Sequence, residues 1–67
     1  MKHHFTFVLV HKELDRDNTY IQFRGSDYQA RKAYDSLSFA LCHSPYCKLL
    51  LLSGNSVCRE TFLKGAF

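Results

Sequence analysis

No apolar run in this 67-residue chain is longer than the four leucines Leu49 to Leu52, whereas a bilayer-spanning helix needs about 20 apolar residues in succession. The stretch Phe5 to Val10 is likewise too short for the apolar core of a signal peptide. Cys42, Cys47 and Cys58 form an odd set, which suits a reducing, cytoplasmic setting better than a disulfide framework. A basic run is also missing. Nine Lys and Arg residues are spread from Lys2 to Lys64 among six acids, for a formal net charge of +3. Nucleic-acid footprints gather their cations on one face or along one helix, so this distribution permits phosphate contacts without indicating them.

Signatures of chemistry are missing too. Gly25 and Gly54 stand alone and form no phosphate-cradling loop, and no G-x-S-x-G or H-E-x-x-H pattern occurs. Cys42 and His43 are adjacent, so on a helix their side chains point about 100° apart and do not form a nucleophile and base. We therefore expect no enzyme and no cofactor. The closest approach to a metal site is Cys42-His43-x-x-x-Cys47, with Cys58, His11, His3 and His4 as further donors. It lacks the C-x₂-C pairing of zinc modules, and cysteines in strands are commonly buried as small hydrophobes. His3-His4 reads as an exposed strand beginning.

What the chain does have is two kinds of apolar period. From His3 to Lys12, Phe5, Phe7 and Leu9 alternate with Thr6, Val8 and Val10, which predicts a central strand apolar on both faces. The turn-forming segment Glu13 to Asn18 leads to a second strand, Thr19 to Arg24, with Thr19, Ile21 and Phe23 inward, and the pair makes a hairpin. After Gly25, Ser26-Asp27-Tyr28-Gln29 matches a capping box. A helix follows from about Asp27 to Cys42, with Ala30, Ala33, Tyr34, Leu37 and Leu41 in one apolar stripe, and it stops at Ser44-Pro45. Tyr46 to Ser53 is a second central strand, Gly54-Asn55 a two-residue turn, and Ser56 to Leu63 a more polar strand before a tail, Lys64 to Phe67. The fold class is α+β, ββαββ, a single domain whose four-stranded antiparallel sheet has order 2-1-3-4 and carries the helix on one face. Polar edge strands protect such a sheet from stray pairing.

One helix covers one sheet face. If it takes Phe5, Phe7, Leu9, Leu49 and Leu51, then Val8, Val10, Leu50 and Leu52, together with Tyr46, form an uncovered apolar face; the opposite phase assignment leaves a patch as well. Such patches mark partner surfaces, unless the tail residues Leu63 and Phe67 fold back as a lid. On the helix, Tyr28, Lys32, Asp35 and Phe39 form an outward stripe whose aromatics resemble interface anchors. The expected partner-binding residues are thus Tyr28, Lys32, Asp35, Phe39, Val8, Val10, Leu50 and Leu52.

A domain this small buries only about 60% of its unfolded surface, so association with a second copy or another protein is a natural source of stability. The expected function is that of a non-enzymatic interaction protein, homodimeric through the open sheet face, that binds and modulates another macromolecule. In size and in lacking an active site it is similar to small phage or mobile-element proteins that block a host machine. Two alternatives remain open: nucleic-acid binding through Arg16, Arg24, Arg31, Lys32, Lys48 and Arg59 with Tyr20, Tyr28 or Tyr46 stacking on bases, and a zinc-stabilised module.

Overall fold

The computed structural model describes residues 3–13, 15–41 and 44–63. Within them the order is β1 His3–His11, β2 Thr19–Gly25, α1 Asp27–Ala40, β3 Tyr46–Ser53 and β4 Ser56–Phe62. The strands form one antiparallel sheet in the order β2-β1-β3-β4. The two strands richest in apolar residues are central and the two more polar ones are at the edges, as their patterns require.

Side chains alternate across a strand, so one set of alternate residues in each strand meets the helix. Phe5, Phe7 and Leu9 of β1 and Leu49 and Leu51 of β3 supply the buried core under Ala30 and Tyr34 of α1. Register sets them side by side: Phe7 lies opposite Leu51 and Leu9 opposite Leu49. Phe23 adds an aromatic contact from β2, its ring centroid 5.6 Å from that of Phe7. Burial of each such side chain contributes about 1.5–3 kcal/mol, which is why a single face holds the fold.

The helix begins where its backbone donors find local partners. Ser26 Oγ accepts from the Gln29 N–H at 3.1 Å and Gln29 Oε1 accepts from the Ser26 N–H at 3.0 Å, the reciprocal capping box. Gly25 makes room for it, because a Cβ there would lie 2.7 Å from Gln29 Oε1. Ser26→Ala is expected to lower stability by about 1 kcal/mol, read as a shift of the urea midpoint at unchanged slope. At its other end α1 stops at Ala40, two residues short of the expected limit. Ser44 closes it by donating through Oγ and N–H to the Leu41 carbonyl, at 2.7 and 3.1 Å. Cys42 and His43 lie outside the described residues.

Tyr34 ties α1 to the far half of the sheet. Its Oη is 2.9 Å from the Leu49 carbonyl and 2.6 Å from Thr61 Oγ1. A phenol has one proton, and the carbonyl can only accept; Tyr34 therefore donates to Leu49 and Thr61 donates to Tyr34. The Arg59 guanidinium caps the ring at 5.3 Å and reaches Asp35 at 3.4 Å.

Two irregularities in the ladder alter which residues share a face. Between Val10 and His11 the register shifts so that Cys47 is an extra residue in β3. A second shift makes Cys58 an extra residue in β4, with Leu51 opposite Arg59 but Leu52 opposite Val57. Each extra residue reverses the alternation beyond it. The hairpin between β3 and β4 turns as expected at Gly54-Asn55, with φ of +61° at Gly54 alone, the pattern of a II′ turn.

Candidate functional site

The sheet face away from α1 is built from the other phase of every strand. Across it run the rows Thr6 with Gln22 and Leu52, Val8 with Tyr20 and Leu50, and Val10 with Lys48. Leu52 continues to Val57, Leu50 to Glu60 and Lys48 to Phe62. The sheet residues expected to bind a partner, Val8, Val10, Leu50 and Leu52, are therefore brought onto one face. Their exposure is uneven. Val8, at the centre between Tyr20 and Leu50, is only 4% exposed, while Val10, Leu50 and Leu52 are half-buried. The apolar surface that meets solvent is carried by the flanking strands, where Tyr20, Val57 and Phe62 are 63%, 58% and 61% exposed.

Val57 and Phe62 were not among the expected residues. They are five positions apart in β4 and would fall on opposite faces of a regular strand; the extra residue Cys58 puts both on the open face. The reverse happened to Tyr46. Strict alternation put it with Leu50 and Leu52, but the extra residue Cys47 turns it to the helix side. There it packs against the core, faces the His11 ring edge-on at 5.6 Å and shares a hydrogen bond with Thr19 Oγ1 at 3.3 Å. Leu63 is likewise no lid on the open face: its N–H bonds the Cys47 carbonyl at 2.9 Å and its side chain is part of the helix-side core. Phe67 lies outside the described residues.

Polar groups of the open face are largely matched within the chain. Lys48 Nζ is 3.4 Å from Glu60 and 5.1 Å from the Phe62 ring centroid, and Thr6 Oγ1 meets Gln22 Oε1 at 3.4 Å. Arg24 differs, making no ion pair among the described residues.

The four residues of the helix stripe, Tyr28, Lys32, Asp35 and Phe39, are all exposed. Tyr28 and Lys32 touch, with the ammonium 5.4 Å from the ring centroid, and Phe39 is 82% exposed. Asp35 is held by Arg59 of β4, so it joins the helix to the sheet edge. Of the six cations considered for phosphate contact, Arg16, Arg31, Lys48 and Arg59 pair with Glu13, Asp27, Glu60 and Asp35. That leaves Arg24 on the sheet and Lys32 on the helix outside any ion pair among the described residues. No cluster of three or more His, Cys, Asp or Glu suited to a metal occurs among the described residues; Cys47 and Cys58 are free thiols at the two ladder irregularities.

On the other side of the sheet, α1 leaves β2 partly uncovered. A groove of about 430 Å³ opens there, lined by Phe7, Ile21, Ala33, Ser36, Leu37 and Ala40. No helix among the described residues is long and apolar enough to cross a membrane. Compared with protein families, curated proteins and solved structures, the chain gives no match.

Proposed function

We propose that this chain is a non-enzymatic interaction protein whose working surface is the open sheet face, and that the face packs against the same face of a second copy. The observation that carries the reading is the apolar surface of Tyr20, Val57 and Phe62 projecting around the Val8 and Leu50 floor. An apolar sheet face is well buried by another sheet, stacked about 10 Å away with nearly aligned strands, and a second copy supplies one of the same size and polarity. Support also comes from the Lys48 to Glu60 pair, whose charges are already matched within the chain and so enter an interface without an uncompensated charge. Packing of this kind leaves α1 on the outside of the assembly, where Tyr28 and Phe39 are free to anchor the macromolecule that the protein binds and modulates.

Both Val57 and Phe62 are more than half exposed, so replacing them leaves the core intact. Val57→Asp/Phe62→Asp is expected to halve the mass measured by sedimentation equilibrium while far-UV circular dichroism stays unchanged. An unchanged mass overturns the reading of this face.

A further inference from the structure

We infer that β2 is a second interface, at which it pairs antiparallel with β2 of another copy, centred on Gln22, to join two sheets into one of eight strands. The inference uses the edge of the sheet and not its face, and stands without the reading above.

The two edges of this sheet are built differently. β4 is blunted: the extra residue Cys58 interrupts its ladder and the charged Arg59 and Glu60 follow. Bulges and charges are the usual protection of an exposed edge. β2 carries neither over most of its length. Its seven residues, Thr-Tyr-Ile-Gln-Phe-Arg-Gly, pair with β1 in one unbroken register, and it contains no proline and a single charge. Its outer backbone donors and acceptors have no strand partner among the described residues. Such an edge is a template for another strand.

The residues of β2 are complementary to themselves. A two-fold axis through Gln22 is the choice that pairs the whole strand and keeps both helices on one side of the sheet. It sets Ile21 against the partner's Phe23, both on the helix side, and Tyr20 against the partner's Arg24, both on the open face. Arg24, which makes no ion pair among the described residues, then lies beside an aromatic ring, a favourable cation–π arrangement, and Ile21 with Phe23 is a favourable aliphatic and aromatic cross-strand pair. Both pairs occur twice by symmetry.

The groove beside β2 fits the same arrangement. Its helical wall is made of Ala33, Ser36, Leu37 and Ala40, and the small Ala33, Ser36 and Ala40 let a second helix approach to about 8–10 Å. The partner's Ile21 and Phe23 line the floor between the two helices and cover Ile21, which is 39% exposed in one copy.

Gln22 is exposed and lies on the axis, so one substitution there places two like charges opposite each other. Sedimentation equilibrium of Gln22→Lys and of Gln22→Glu is expected to give half the wild-type mass for each, and an equimolar mixture of the two is expected to restore it. Circular dichroism of each variant shows that the fold is kept. If both variants retain the wild-type mass, or if the mixture fails to restore it, β2 does not pair. Val57→Asp/Phe62→Asp tests the open face separately: a mass halved by Gln22→Lys and not by that double variant supports the edge alone, and the converse supports the face alone. With both interfaces intact and their two-fold axes crossing, the wild type contains four chains, and a chain carrying all three substitutions is a monomer.

Discussion

Leu49→Ala is expected to leave the chain largely unfolded at 25 °C, although Leu50→Ala, the same change one residue along, is expected to leave it folded. Leu49 is completely buried between Leu9 and the helix, and its own carbonyl accepts the Tyr34 hydroxyl. Truncating a leucine in such a position removes its transfer free energy and opens a cavity, together costing about 2–5 kcal/mol. A core this small supplies only about 3–5 kcal/mol of net stability, so the loss is comparable with the whole. Leu50 faces the other way and is half-buried in a single chain, so its truncation costs about 1–2 kcal/mol and removes part of the open face. Urea titrations followed by circular dichroism, run at low protein concentration so that association adds little, check the difference. Equal losses for the two variants would show that the helix does not select the Leu49 phase.

The contrast between neighbouring leucines explains how much of this molecule is legible from residues alone. Phe5, Phe7 and Leu9 alternate with Thr6, Val8 and Val10, and apolar residues in both phases report a central strand directly. The capping box at Ser26 and Gln29 is local, satisfied within four residues, and needs no knowledge of the sheet. The helix-side phase is left open by central strands apolar in both phases, but element order and strand order follow from such local signals. Placement of Tyr46, Val57, Phe62 and Leu63 does not. Their faces depend on Cys47 and Cys58 being extra residues in the ladder, and that is decided by how two strands meet, not by anything within either one. The candidate surface was thus legible at its centre and illegible at its rim, and the rim is where most of its exposed apolar area lies. The β2 edge is a related case: its lack of a bulge becomes visible only beside a β4 that has one.

The same reversals account for the division of labour between the faces. Beyond Cys58 the strand presents Arg59, Thr61 and Leu63 to the helix side, where Arg59 covers the Tyr34 ring, Thr61 meets its hydroxyl and Leu63 completes the core. In a regular strand with Arg59, Thr61 and Leu63 on the helix side, Val57 would join them there; the bulge at Cys58 turns Val57 to the open face instead. A single inserted position therefore both closes the core and exposes the apolar rim.

Tyr34→Phe is expected to cost about 1–3 kcal/mol near neutral pH and to remove part of the stability loss at alkaline pH. The substitution keeps the ring against Phe7 and under Arg59 but leaves the Leu49 carbonyl and the Thr61 hydroxyl without their partner. Burial disfavours the phenolate and raises the Tyr34 pKa above 10.0, opposed in part by the hydrogen bond from Thr61 and the charge of Arg59. The folded chain therefore keeps its proton at a pH where the unfolded chain has released it. Below the unfolded value, about 10, the stabilising effect of the neutral, hydrogen-bonded phenol is fully present; as pH rises through the unfolded value toward the higher folded one, the unfolded state binds fewer protons and stability falls. Phenylalanine has no proton to lose. Contributions common to both chains cancel in the difference between their urea midpoints, which is expected to be constant from pH 7 to about pH 9 and to narrow above about pH 10. Midpoints that decline in parallel through the alkaline range would show that Tyr34 ionises as readily in the folded chain as in the unfolded one, and that its hydroxyl is not held between the Leu49 carbonyl and Thr61.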